Sequence, residues 1–267
     1  MKKPIGIFDS GVGGLTVYKA IRESFPEEDL VYFGDTARVP YGPKSENTVI
    51  EYSVQNSRFL LQAGIKILIV ACNTSSAVAL DHLKQLTEIP IIGVIQPGAE
   101  LAAQQTVNQR IGVIGTEGTI RSGAYTRAIT EILPGAQVFS QACPLFVPFV
   151  EEGWVSGSTA KEVVAEYLSF YQGLDIDTLV LGCTHYPLLK GLIGEMMGEK
   201  VTLVDSAEAI TGYLGSLLPR EYDGTAGTDR FFVSDNEAKF AQIAERILGR
   251  KPGQLRRVRL FESWFAD

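Results

Sequence analysis

Short runs of apolar, mostly β-branched residues recur along the chain. They fall at Ile5–Phe8, Leu30–Phe33, Ile67–Ala71, Ile91–Val94, Ile111–Ile114, Gln137–Ser140, Thr178–Leu181 and Val201–Val204. Between most of them lie longer stretches of mixed polarity. Three of these, Gly14–Ser24, Thr48–Ala63 and Ser75–Leu86, can place apolar residues at i, i+3 and i+4 and therefore read as amphipathic helices. Strands alternating with helices predict βαβ units, an α/β fold and mostly parallel sheet flanked by helices. In open parallel sheets ligands sit off the carboxyl ends of the strands, so the residues that directly follow each strand are the ones to inspect.

Those residues repeat. Gly6-Ile7-Phe8-Asp9-Ser10-Gly11 resembles Gly112-Val113-Ile114-Gly115-Thr116-Glu117-Gly118, and Ile69-Val70-Ala71-Cys72-Asn73-Thr74 resembles Val180-Leu181-Gly182-Cys183-Thr184-His185. Two motifs in the same order and at nearly the same offset predict two copies of one α/β unit facing each other as pseudo-symmetric lobes, with a site in the cleft. The expected division is residues 1–95 with 208–267 as the first lobe and 96–207 as the second. Gln96-Pro97-Gly98 is the expected hinge, and the stretch after Val204 is expected to return to the first lobe.

Composition narrows the picture. A chain of 267 residues with 45% hydrophobic and 21% charged residues has enough apolar material for one large or two small cores. Its net charge of −7 argues against sequence-independent binding to nucleic acid or to an anionic membrane. The apolar stretch Pro4–Phe8 is too short for a secretory leader, and no run approaches the roughly 20 residues of a spanning helix. Three cysteines, Cys72, Cys143 and Cys183, do not make a disulfide scaffold and fit a reducing compartment. The expected protein is soluble and cytoplasmic.

Cys72 and Cys183 each follow an apolar strand and precede small polar residues. Burial as small hydrophobes is the ordinary fate of a free cysteine, but a matched pair at repeat positions points to a shared cleft. Cys143 has no counterpart and reads as structural. A disulfide switch lacks a Cys-x-x-Cys pair, and the spacing of the cysteines and histidines does not match a zinc site. A Cys72–His185 hydrolase pair would leave Cys183 idle. The arrangement that uses both thiols removes a proton from carbon on one face and returns one on the other.

Asp9 and His185 are the candidate tuners. Asp9-Ser10 also suits a helix cap, and a carboxylate there could instead hold an amino group or orient a thiol. His185 is either a satisfied structural histidine or a proton-handling group. Of Glu151-Glu152, one side chain could reach the second thiol. The run Asp9-Ser10-Gly11-Val12-Gly13-Gly14 lacks the third glycine of a dinucleotide loop, because Thr16 stands there. Arg246, Arg250, Lys251, Arg256, Arg257 and Arg259 read as a solvated basic face.

The residues resemble the cofactor-independent glutamate racemases. The likeness rests on Phe8–Gly14, on Gly34-Asp35-Thr36-Ala37-Arg38-Val39-Pro40-Tyr41-Gly42, on Ala71–Thr74 and on Leu181-Gly182-Cys183-Thr184-His185-Tyr186-Pro187. The resemblance implies conversion of L-glutamate to D-glutamate for peptidoglycan, without cofactor or metal, in a homodimer. It implies Cys72 acting on the D-enantiomer and Cys183 on the L-enantiomer. Asp9 and His185 would border the substrate and assist, and Glu151 matches a further acid. Ser10, Tyr41, Gly42, Asn73, Thr74, Thr116, Thr119 and Thr184 would hold the substrate's carboxylates and amino group. Two other functions compete: a non-catalytic dicarboxylate binder, and a related racemase or decarboxylase for aspartate or another acid.

Overall fold

A computed structural model describes residues 3–218 and 225–260. The chain runs Ile5–Asp9 (β1), Leu15–Ser24 (α1), Leu30–Gly34 (β2), Glu46–Gln62 (α2), Ile67–Val70 (β3), Asn73–Val78 (α3), Leu80–Lys84 (α4) and Ile91–Gly93 (β4). It continues with Ile95–Gln105 (α5), Arg110–Gly115 (β5), Glu117–Ser122 (α6), Ala124–Ile132 (α7), Gln137–Ala142 (β6), Phe146–Glu152 (α8), Ser158–Leu168 (α9) and Thr178–Gly182 (β7). Lys190–Met197 (α10), Thr202–Asp205 (β8), Ser206–Leu217 (α11), Asp229–Val233 (β9), Glu237–Leu248 (α12) and Gln254–Arg257 (β10) complete it.

The strands form two parallel sheets with orders β10-β9-β2-β1-β3-β4 and β6-β5-β7-β8. The repeated motifs have a topological counterpart, because β2-β1-β3-β4 and β6-β5-β7-β8 are the same arrangement. Gly6 of β1 and Gly112 of β5 are equivalent in detail as well. A Cβ on either would lie 2.7 Å from the Cδ1 of an isoleucine, Ile65 or Ile176, that packs against the strand. Within the first sheet, alternate residues face opposite helical layers. Ile5 and Ile7 join α1, α11 and α12 on one side, while Phe8, Phe33 and Val70 join α2 and α4 on the other. Both faces are covered, so the strands are apolar throughout, and each fully buried aliphatic side chain contributes about 2 kcal/mol.

Three features differ from expectation. Gln96-Pro97-Gly98 is the first turn of α5 rather than an open linker, a position that tolerates Pro97 because its missing N–H has no intrahelical partner there. The helix expected over Ser75–Leu86 is two short ones, α3 and α4, meeting at Ala79. The strands β9 and β10 were not among the apolar runs. Both pair with the first sheet, β9 on β2 and β10 on β9. β10, Gln254-Leu255-Arg256-Arg257, is an edge strand whose polarity hides it. Part of the basic face is also paired: Arg250 with Asp229 at 2.8 Å and Arg257 with Asp235 at 3.6 Å. Of the expected first-lobe return, residues 219–224 and 261–267 lie outside the described part.

Candidate active site

The carboxyl ends of β1, β3, β5 and β7 bring the expected residues together. β5 and β7 are in register at Gly115 and Gly182, so Thr116 and Cys183 leave the second sheet side by side. Cys72 leaves β3 in extended conformation and starts α3, with its carbonyl accepting from Ser76 N–H at 2.9 Å. Cys72, Cys183, Asp9, Ser10, Asn73, Thr74, Thr116, Thr119, Thr184 and His185 are all buried.

Asp9 is at the centre. Its Oδ2 accepts from Gly11 N–H at 2.9 Å, and its Oδ1 accepts from Thr184 Oγ1 at 3.2 Å, so the first sheet's carboxylate is held by the second sheet's loop. Burial raises its pKa, and the nearby His185 charge together with the Gly11, Gly14 and Thr184 hydrogen bonds offsets this only in part. The Cys72 thiol is pushed up to about 11 by burial and by Asp9, against weaker help from Ser75 and Ser10. At rest it is therefore a protonated thiol.

The other thiol has a different neighbourhood. Cys183 Sγ lies 3.8 Å from His185 Nδ1, and His185 Nε2 lies 3.2 Å from Glu151 Oε1. Burial alone would lower the His185 pKa, but Cys183 and Glu151 overcome it and raise it to about 10. Burial likewise works against the Glu151 carboxylate, yet its hydrogen bond and charge contact with His185, with help from Lys239, hold it below the usual range. The line Cys183–His185–Glu151 can thus keep an imidazolium beside the thiol at neutral pH. The Gly13 backbone leaves room for it. A Cβ there would lie 2.4 Å from both His185 Nδ1 and Thr184 Oγ1.

On the opposite side three hydroxyls form a triangle across the lobes. Thr74 Oγ1 is 2.9 Å from Thr116 Oγ1 and 3.3 Å from Thr119 Oγ1, and the latter two are 3.0 Å apart. Gly42 closes above it, with its carbonyl accepting from Gly118 N–H at 2.9 Å. A pocket of about 230 Å³ opens beside this point, lined by Pro40, Gly42, Pro43, Thr116, Glu117, Pro144, Val147, Pro148 and Glu151. It shares Gly42, Thr116 and Glu151 with the site, and neither thiol lines it.

Tyr41 is placed differently from the others. Its hydroxyl donates to Asp35 Oδ2 and accepts from Asn56 Nδ2 at 3.0 Å, so the side chain fixes its loop. Only its backbone remains for a ligand. Asp35 also takes Arg38 Nε at 2.6 Å and Ser234 Oγ at 2.8 Å. Cys143 is buried in the same apolar cluster as Cys183, and Tyr186 donates to its carbonyl at 2.8 Å. Two residues absent from the sequence reading, Tyr125 and Ser206, touch the Asn73 side chain. Ser206 had a signal: Asp205-Ser206 repeats, at the end of β8, the Asp9-Ser10 pair that ends β1. Among the described residues no three His, Cys, Asp or Glu side chains are grouped as metal ligands. No described helix is long and apolar enough to cross a membrane.

Residues 5–214 match the family model described as Asp/Glu/Hydantoin racemase. The chain belongs to the Asp/Glu/Hydantoin racemase family. Among members of this racemase family, a glutamate racemase of Geobacter metallireducens is 53% identical over 262 residues, covering 97% of each chain. The crystal structure of a glutamate racemase isoform from Bacillus anthracis superposes with a TM-score of 0.93 at 41% identity, covering 97% of this chain and 98% of that one. The glutamate racemase of Francisella tularensis, solved in complex with D-glutamate, gives 0.90 at 39% identity with the same coverage. The racemase fold is thus matched over both sheets.

Proposed function

We propose that the chain interconverts L-glutamate and D-glutamate by a two-base mechanism in which Cys72 and Cys183 act from opposite faces of the α-carbon. The observation that carries this is the pair of buried thiols at equivalent strand ends of two sheets, which the Asp9–Thr184 hydrogen bond ties together. Relatives at about half identity over nearly the whole chain support glutamate as the substrate.

In the L-to-D direction His185 holds the Cys183 proton as an imidazolium, and the Cys183 thiolate takes the α-proton. The carbanion flattens, and the Cys72 thiol, held protonated by its surroundings, delivers its proton to the other face. The reverse reaction exchanges the roles. The carbanion is stabilised by dipoles fixed in advance and by exclusion of water. Asp9 and His185 adjust the charge around the two sulfurs, and Glu151 holds the imidazole. Ser10, Asn73, Thr184, the threonine triangle and the Tyr41–Gly42 backbone supply the hydroxyl and amide groups for the carboxylates and the amino group.

The lobes in this reading are residues 1–95 with 208–267, and 96–207. The family resemblance supports a homodimer in the cytoplasm that supplies D-glutamate for peptidoglycan. Polarimetry on the separate enantiomers of glutamate and aspartate, with deuterium incorporation at the α-carbon followed in parallel, tests the reading. Loss of rotation with L- or D-glutamate and slower change with aspartate is expected. Glutamate that binds without changing rotation would leave a dicarboxylate binder instead, and faster change with aspartate would reassign the substrate.

A further inference from the structure

The Asn73 side chain is held from two elements that belong to different parts of the fold. It stands at the start of α3, directly after Cys72. Tyr125 of α7 donates its hydroxyl to Asn73 Oδ1 at 2.7 Å. Ser206, the first residue of α11, accepts from Asn73 Nδ2 at 3.1 Å and lies 3.3 Å from Oδ1. All three side chains are buried, none more than 2% exposed. The Tyr125 ring has little freedom of its own. Cβ atoms on Gly98 of α5 and Gly182 of β7 would come within 3.1 and 3.0 Å of it.

These contacts decide which way the amide faces. A carboxamide is pseudo-symmetric in shape, and only its hydrogen bonds distinguish oxygen from nitrogen. A phenol donating to one end makes that end the carbonyl oxygen. Nδ2 is then fixed at the other end, with one N–H spent on Ser206 and a second left to donate. Burial keeps the Tyr125 hydroxyl protonated, so it remains a donor across the working range.

We propose that Tyr125, seconded by Ser206, is a positioning residue that orients the Asn73 amide toward a substrate carboxylate or amino group and couples the second lobe to the Cys72 wall of the cleft. The inference rests on the racemase reading and adds to it a residue acting through Asn73. Removing the Tyr125 hydroxyl lets the amide rotate and leaves a buried carbonyl short of a donor. A displaced or unpaired buried polar group at a binding site typically changes affinity by about tenfold.

The test measures KM and kcat for L-glutamate, and glutamate affinity by calorimetry, in the full-length wild type, Tyr125→Phe, Ser206→Ala, Asn73→Ala and Asn73→Ala/Tyr125→Phe. Tyr125→Phe should raise KM and Kd about tenfold with kcat within about threefold of wild type. In the Asn73→Ala background the same substitution should change KM less than about twofold, because the residue it acts through is gone. A Tyr125→Phe effect that persists in full without Asn73 would mark a general structural role and overturn the proposal, as would unchanged KM and Kd in the single variant. If Tyr125→Phe fails to fold by thermal melting, the Ser206→Ala pair with and without Asn73 carries the same comparison. A wild-type chain that binds glutamate without racemising it would defeat the catalytic reading yet leave the Kd comparison to decide this one. A wild type that does not bind glutamate would overturn both.

Discussion

The Cys183 thiol lies 3.8 Å from His185 Nδ1, whereas the groups close to the Cys72 thiol are the Ser10 and Ser75 hydroxyls and the Asp9 carboxylate. The two sulfurs occupy equivalent positions in duplicated sheets but unequal electrostatic settings. Replacing either should stop net inversion. Cys72→Ser and Cys183→Ser are each expected to lower racemisation by at least about a thousandfold, the scale of a lost general acid or base. Circular dichroism at substrate wavelengths reads the loss. Either variant racemising at the wild-type rate would rule out one proton transfer per thiol.

The His185–Glu151 pair should give stability a defined pH window. His185 is raised in the folded protein from 6.5 to about 10, so its contribution is complete below about pH 6.5 and disappears as pH rises through about 10. Glu151 is lowered, so its contribution is present above its unfolded value of 4.5 and is lost as pH falls through the folded value. The coupling between them should therefore be largest between those two unfolded values. A double-mutant cycle with His185→Gln and Glu151→Gln, measured by urea unfolding, should give about 2 kcal/mol near pH 5.5. The same cycle above about pH 10.5 should give close to zero. A pH-independent coupling would mean that the contact is not an ion pair.

Gly13 should be intolerant of a side chain for a reason local to the site. Gly13→Ala places its methyl group against His185 and Thr184. Displacing the imidazole by even an ångström should lower kcat by about a hundredfold. An alanine variant with full kcat would show that His185 has room to move without consequence.

Asp35 is expected to matter to stability first. It is fully buried and bonded to Arg38, Ser234 and Tyr41. Asp35→Ala leaves the largely buried Arg38 without its closest carboxylate, a loss of about 3 kcal/mol in urea unfolding. A change under 1 kcal/mol would place the anchoring of this loop elsewhere.

The central strands and the thiol pair were readable in the sequence because buried parallel strands are written as uninterrupted apolar runs, and because the duplication repeats its strand-end residues. β9 and β10 were not, since they lie toward the sheet's edge where apolar residues are no longer required on both faces. α3 and α4 merged into one expected helix because periodicity does not register the break at Ala79. Asp9 and His185 stand out locally, one at the tip of an apolar run and the other two residues after Cys183. The Tyr41 hydroxyl shows the limit of that reasoning. The motif marks Tyr41 for the site without saying whether backbone or side chain serves there, and only the folded chain shows its hydroxyl held by Asp35 and Asn56. Tyr125 and Asn73 are 52 positions apart, and nothing in either local sequence announces the contact.

The matching sheet orders set a constraint that neither half can escape. Both halves are built from L-residues, so one wall of the cleft can repeat the other by rotation but can never be its reflection. Glutamate's two hands are reflections. A catalyst assembled this way meets its mirror-image substrates with walls that are alike in skeleton and necessarily unlike in detail, which is where His185 enters on one side only. Enantiomers have equal free energies, so the Haldane relation fixes kcat/KM at the same value in both directions. Whatever imbalance the lone imidazole introduces must then divide between turnover and saturation, raising or lowering both together for one hand relative to the other.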